Sequence, residues 1–326
     1  MSPPAEETKS AEKKEEEDVI FAFSFLTFVA VSKTLLTKFV FTHVDTPVAF
    51  SVLSCIATMI VIAPIFLFKP SLFGWIRRDM FMGFLACSAA IAIDLGCTNV
   101  AISELSVAMQ QTIKATSPAA TVLLEVAFNK KCHHPLIFFL IGLLCAGSVL
   151  VKWGSSDYDA TPYGLVMMIV AVVSGAFKYV MAHAMIRSFR DDLGVLAFTF
   201  WVEAIVSVML TPWAVLNGEA EKLIFGGAAS TATDWALLWF TGAYGGVRIF
   251  SQFALLKHTS ATTLALSNVT IQALTTILGI FLFHTPVTNF LVAGISVTLL
   301  ATAGYTYVKT TKVLEKADPP KAKEIL

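Results

Sequence analysis

The chain has 326 residues, 56% of them hydrophobic and only 14% charged, with a mean hydropathy of +0.74. Soluble domains are about 45–50% apolar and about 25% charged, so disorder, a coiled coil and an ordinary cytosolic enzyme are excluded. Lys plus Arg and Asp plus Glu each number 23, and a net charge of zero offers nucleic acid no field to follow.

A membrane span needs about 20 mostly apolar residues. Residues 1–18, with the run EETKSAEKKEEED, are expected as a solvated, disordered cytosolic tail, too acidic for a signal or transit peptide. Apolar stretches then fall at 19–42, 47–68, 80–102, 105–128, 135–152, 163–186, 194–216, 235–256, 261–283 and 287–308. They predict an all-α integral membrane protein with ten transmembrane helices in the lipid bilayer. A basic tail, 309–326, closes the chain. An even number of spans puts both termini on one side. Loops on that side carry Lys69, Arg77, Arg78, Lys130, Lys131, Arg187, Arg190 and Lys257, against Lys152 and Lys222 opposite. The excess of positive charge predicts that both termini face the cytosol. Cys55, Cys87, Cys97, Cys132 and Cys145 are scattered, so neither a disulfide framework nor a zinc site follows.

Two offsets suggest an internal repeat. A shift of 145 residues lays FLTFVAVSKTLLTK over MMIVAVVSGAFKYVMAH and Lys33 on Lys178. A shift of 154 lays LSVAMQQTIKATSPAATVLL over TSATTLALSNVTIQALTTIL, with Lys114 on Asn268 and Thr121 on Thr275. Helices 1 and 4 then correspond to 6 and 9, so residues 19–152 and 153–308 form two five-helix halves. Five is odd, so the second half enters from the opposite side. Such inverted repeats place a site near the midplane between them.

An ionisable group at the bilayer centre costs at least several kcal/mol unless it faces protein or water. Lys33, Asp94, Lys114, Lys178, Glu203 and Arg248 all fall in mid-span, whereas Lys38 and Glu125 lie near helix ends, where snorkelling explains them. Four cations stand against two carboxylates, and phosphate would supply the missing compensation. A structural network is the other reading, with Lys114 paired to Asp94 or Glu203 and Arg248 snorkelling or paired. Asp94 and Glu203 are expected as partners of the cations, and a proton-coupling role stays open for either. On the fourth helix Gln110, Gln111, Lys114, Ser117 and Pro118 share a face, and the proline frees a carbonyl. On the ninth, Asn268, Gln272, Thr275 and Thr276 make an uncharged polar stripe. Tyr244 precedes Arg248 by one turn, with Gly245 and Gly246 between them to allow close packing. The candidate binding set is Lys33, Gln111, Lys114, Lys178, Tyr244, Arg248, Asn268 and Gln272. His133 and His134 fall in a loop, and His183 and His284 are isolated. No HExxH, GxSxG or Walker loop occurs, so no catalytic residue, metal or cofactor is expected.

GCTNVAISELSVAMQQTIKATSPAATVLL, residues 96–124, resembles the helix 3–4 region of the triose-phosphate/nucleotide-sugar transporter family of the drug/metabolite transporter superfamily. The resemblance rests on Gly96, Thr98, Asn99, Ser106, Val107, the run Thr112 to Ala115 around Lys114, and Pro118. SKTLLTKF is similar to the family's Asn-Lys element, with Ser32 in place of Asn. SGAFKYV resembles its Ser-Gly…Arg segment, with Lys178 in place of Arg. The last two helices have the family's shape, so the similarity spans nearly all of 19–310. It implies two inverted five-helix halves, exchange of one phosphorylated solute for another, and phosphate binding by Lys114. Triose-phosphate carriers also use a Lys-Arg pair on helix 9, which would fall at Ile271 and Gln272 and is absent. The expected function is therefore exchange of a cytosolic nucleotide sugar for a nucleoside monophosphate in the Golgi or ER membrane. The phosphates would sit between Lys114 and the Lys33/Lys178 pair, with Gln111, Asn268 and Gln272 toward sugar or base. A sugar-phosphate carrier of a plastid-type membrane and a non-transporting scaffold of the same fold are the alternatives.

Overall fold

A computed structural model describes residues 5–310 apart from 115, 130–134, 155–160, 189–192, 260 and 284–286. The loop residues Lys130, Lys131, Cys132, His133, His134 and Arg190, together with His284 and the basic tail from 311, lie outside the described residues. Twelve α-helices follow in chain order. They are α1 (Ala5–Phe41), α2 (Pro47–Phe68), α3 (Arg78–Glu104), α4 (Val107–Lys114), α5 (Ser117–Asn129) and α6 (Pro135–Gly154). After them come α7 (Pro162–Ser188), α8 (Val195–Leu216), α9 (Glu219–Ile224), α10 (Ala232–His258), α11 (Ala261–Leu282) and α12 (Asn289–Thr310). Among the described residues there is no strand.

Among the described residues, five segments are long and apolar enough to cross a bilayer: Val19–Phe41, Pro47–Phe68, Arg78–Glu104, Pro162–Ile186 and Val195–Leu216. Shorter apolar stretches lie in α6, α11 and α12. Large apolar side chains such as Phe28, Leu67, Ile169, Phe240, Phe281 and Leu300 are exposed around the bundle. In water they would be a liability; against lipid they are the solvent-facing surface. The chain is an all-α integral membrane protein.

Local chemistry explains most boundaries. Proline opens α2, α6 and α7, where its missing N–H costs nothing. The Thr231 hydroxyl accepts from Asp234 N at 3.1 Å, while Asp234 accepts from Thr231 N at 3.0 Å, a capping box that starts α10. Gly218 adopts φ +75° at the turn into α9, a conformation other residues resist.

Two expectations are corrected. The charged stretch from Ala5 to Asp18 is not a disordered tail but the first turns of α1. Once a helix exists, each further residue adds a hydrogen bond without a new nucleus, and the stretch is rich in good helix formers such as Ala, Glu and Lys. The fourth span, 105–128, is not one helix but two, α4 and α5, with a turn at Thr116. Pro118 cannot donate to the Lys114 carbonyl four residues back, and the Ser117 hydroxyl takes that acceptor at 2.9 Å.

The helices pack reciprocally. α3 lies along α7, as α1 lies along α10; α2 meets α10, as α8 meets α3. α2 with α8, α4 with α11 and α6 with α12 close the set. Exchanging α1, α2, α3, α4 and α6 for α7, α8, α10, α11 and α12 maps every one of these pairs onto another or onto itself. Duplication of a five-helix unit produces that reciprocity.

Close approach needs small residues where lipid gives no hydrophobic drive. A Cβ at Gly242 would stand 3.0 Å from Ser54 Cα, and one at Gly246 would fall on the side chain of Thr58. Gly242 and Gly246 are one turn apart on α10, as Ser54 and Thr58 are on α2. Gly246→Val is therefore expected to force α10 off α2 and destabilise the protein by about 1–3 kcal/mol. Thermal unfolding of the purified protein checks this. Thr58→Ala in the Gly246→Ala background should recover part of the loss.

Both ends of the bundle are tied across the halves. At one end the Glu219 carboxylate accepts from Val48 N at 2.6 Å and Ala49 N at 2.9 Å, capping α2 from the second half. The Thr161 hydroxyl donates to Glu104 at 2.7 Å beside it. Lys38 does not snorkel there: its ammonium donates to the carbonyls of Ile102 (2.7 Å) and Leu105 (2.9 Å) at the end of α3. At the other end of α8, Trp201 donates to Gly74 O at 2.7 Å within a cluster of Phe66, Phe73, Trp75 and Phe200.

Candidate functional site

Between these closures lies a cavity of about 780 Å3, counting its mouth. Its wall is built from α1, α2, α3, α4, α7, α8 and α10, so both halves contribute. All six mid-span ionisable residues meet there: Lys33, Asp94, Lys114, Lys178, Glu203 and Arg248. Thr34, Ser54, Thr98, Asn99, Gln110, Gln111, Tyr179 and Gln252 add polar groups.

Lys178 and Asp94 form an ion pair across α7 and α3. Gly175, one turn before Lys178, packs against the pair. A Cβ there would stand 3.2 Å from Asp94 Oδ1, so its absence leaves the carboxylate room against α7. Thr98 donates to Asp94 Oδ1 at 3.2 Å and accepts from Lys114 Nζ at 3.1 Å. Arg248 donates to the Thr34 hydroxyl at 3.4 Å. The Lys33 ammonium lies 5.8 Å from the centre of the Phe50 ring, and Gly245 stands beside its stem. Among the described residues, no carboxylate comes within 4.0 Å of Lys33, Lys114 or Arg248. One of the four cations is thus matched, and three point their charge at one chamber. Neutral hydroxyls and a ring face are weak compensation for three buried charges.

The rest of the candidate set divides. Gln111 lines the cavity and donates to Gln110 Oε1 at 2.7 Å. Asn268 stands behind the wall, donating at 2.9 Å to the hydroxyl of Tyr179, which is itself a wall residue. Gln272 is 5% exposed and its Oε1 has no hydrogen-bond partner, yet it is not part of the wall. Tyr244 also lies off the wall, with its hydroxyl 2.8 Å from Ser32 Oγ and its ring stacked on Phe240. Within the polar stripe of α11, Thr275 and Thr276 donate back to their own helix. Sequence reasoning passed over Tyr179, Gln252 and Gly175. The signals were present: Tyr179 adjoins Lys178, Gln252 follows Arg248 by one helical turn, and Gly175 precedes Lys178 by three residues.

Residues 18–306 match the model of the Triose-phosphate Transporter family. Relatives include a probable sugar phosphate/phosphate translocator of Arabidopsis thaliana, 22% identical over 90% of this chain and 73% of its own. UDP-uronic acid transporter 1 of Arabidopsis thaliana is 23% identical over 70% of this chain and 74% of its own. Solute carrier family 35 member E4 of Rattus norvegicus is 29% identical over 66% of this chain and 60% of its own. A crystal structure shares the fold at a TM-score of 0.65 and 12% identity, covering 89% of this chain and 98% of that one. With the match running from the first apolar residues to the last helix, the chain belongs to the Triose-phosphate Transporter family.

Proposed function

We propose that the protein is an antiporter that exchanges a cytosolic nucleotide sugar for a nucleoside monophosphate by alternating access. The observation that carries this reading is the set of three cations, Lys33, Lys114 and Arg248, facing one chamber between the halves without a carboxylate partner among the described residues. A phosphorylated ligand supplies the missing negative charge, with Arg248 offering a planar fork and the lysines mobile point charges. Gln111 and Asn99 are within the same wall to meet hydroxyls or a base. The halves, 19–152 and 153–308, rock about the bound ligand, and the end closures around Glu219 and Trp201 open in turn. An empty chamber resists that motion because three like charges remain uncompensated, so the ligand acts through its differential affinity for the two states. The loop charges favour both termini in the cytosol, and a Golgi or ER membrane goes with the nucleotide-sugar reading. A relative named as a UDP-uronic acid transporter supports the nucleotide-sugar reading. Relatives named as sugar phosphate/phosphate translocators favour a second one, exchange of sugar phosphates.

Liposomes carrying the purified protein decide between them. With nucleoside monophosphate inside, uptake of labelled nucleotide sugar should exceed that of empty liposomes by at least about tenfold. Stimulation by internal phosphate or triose phosphate alone selects the second reading. Uptake indifferent to the liposome contents defeats both.

A further inference from the structure

Glu203 is the one charged residue of the cavity that the exchange mechanism leaves without a task. It stands on α8 in the cavity wall, is 1% exposed, and its Oε1 has no hydrogen-bond partner. Among the described residues no cation lies within 4.0 Å of it. Cys55 of α2 is its hydrogen-bonding neighbour, with Lys33 of α1 and Lys178 of α7 further off. Asp94 of α3, Lys114 of α4 and Arg248 of α10 complete the charges around the chamber. A carboxylate sealed from water without a paired cation is costly, and a neutral carboxyl avoids that cost.

We propose that Glu203 is a proton-binding site coupled to anion occupancy, so that an anion entering the chamber brings one proton onto its carboxyl. The inference rests on the reading of the chamber as an anion site. Without an anion, the field of Lys33, with that of Lys178, opposes the burial penalty and favours the carboxylate. A phosphorylated ligand among those cations cancels the field, and burial then acts unopposed. The proton comes from water on the loading side and returns to water when the anion leaves; only an O–H bond forms and breaks. Each anion then crosses with one proton, and a one-for-one exchange moves no net proton.

Linkage makes the coupling reciprocal: if the anion draws in a proton, lower pH tightens the anion. The probes are UDP-glucose and inorganic sulfate, neither of which titrates between pH 6 and 8. Calorimetry of the purified protein in two buffers of different ionisation enthalpy should show proton uptake approaching one per anion bound. Affinity should rise by up to about tenfold per pH unit on acidification. Glu203→Gln should bind the same anions with no proton uptake and a flat pH profile. Wild-type binding that ignores pH, or proton uptake that survives Glu203→Gln, overturns the inference while leaving the anion site standing. Binding of neither probe removes the anion site and this inference with it.

Discussion

Lys114→Ala is expected to lower exchange at least about thirtyfold while the protein stays folded. Lys114 ends α4 at the break in the fourth span, and among the described residues its ammonium is held by the Thr98 hydroxyl at 3.1 Å. Truncating one side of a buried, hydrogen-bonded charge contact costs about 2–5 kcal/mol of binding, which is roughly a 30- to 4,000-fold loss. Stability should move little, and the reason is local. No carboxylate loses a partner, because Asp94 keeps Lys178 and the Thr98 hydroxyl still donates to Asp94. Removing a buried ammonium without a counter-ion even favours the fold slightly. Lys114→Arg should restore only part of the activity, since a planar fork does not reproduce a point charge beside a helix break. Initial exchange rates and unfolding temperatures, taken on the same preparations, separate the two roles. A fall in melting temperature that parallels the fall in exchange would mean that Lys114 belongs to a structural network instead.

The membrane made much of this molecule legible in advance. Hydrocarbon penalises charge so heavily that six ionisable residues in mid-span had to face one another or water, and all six line the same chamber. Each apolar run holds a helix, or two in the fourth, because a span has a fixed thickness to cross. Partner choice did not follow. Asp94 takes Lys178 and not Lys114, a choice that helical spacing leaves open. Helical spacing also says which residues share a face, but not what that face meets. Gln111 and Lys114 meet the chamber, whereas Asn268 and Gln272, in the matching helix of the other half, meet protein. The broken fourth span was half visible, since Pro118 announced a freed carbonyl but not that Ser117 would take it up. The charged first turns of α1 misled because composition reports solvation, while helix propagation depends on what the segment is attached to.

The ion pair between Lys178 and Asp94 carries the largest stability effect. Breaking a buried pair by removing one partner costs about 3–5 kcal/mol, because the other charge is left uncompensated. Asp94→Asn and Lys178→Met are each expected to lose stability on that scale, roughly 6–20 °C in melting temperature at about 2–4 °C per kcal/mol. The double variant should return close to the parent, since a neutral pair of similar volume removes two desolvation penalties together with the attraction between the charges. Comparing the four proteins by thermal unfolding gives the coupling energy directly. The same double variant also tests what Lys178 does for the ligand. The pair is neutral as a unit, so its removal leaves Lys33, Lys114 and Arg248 as the cations facing the chamber. If those three hold the phosphates, the refolded double variant exchanges solute within about tenfold of the parent. If Lys178 leaves Asp94 to grip the ligand during the cycle, stability returns but exchange does not.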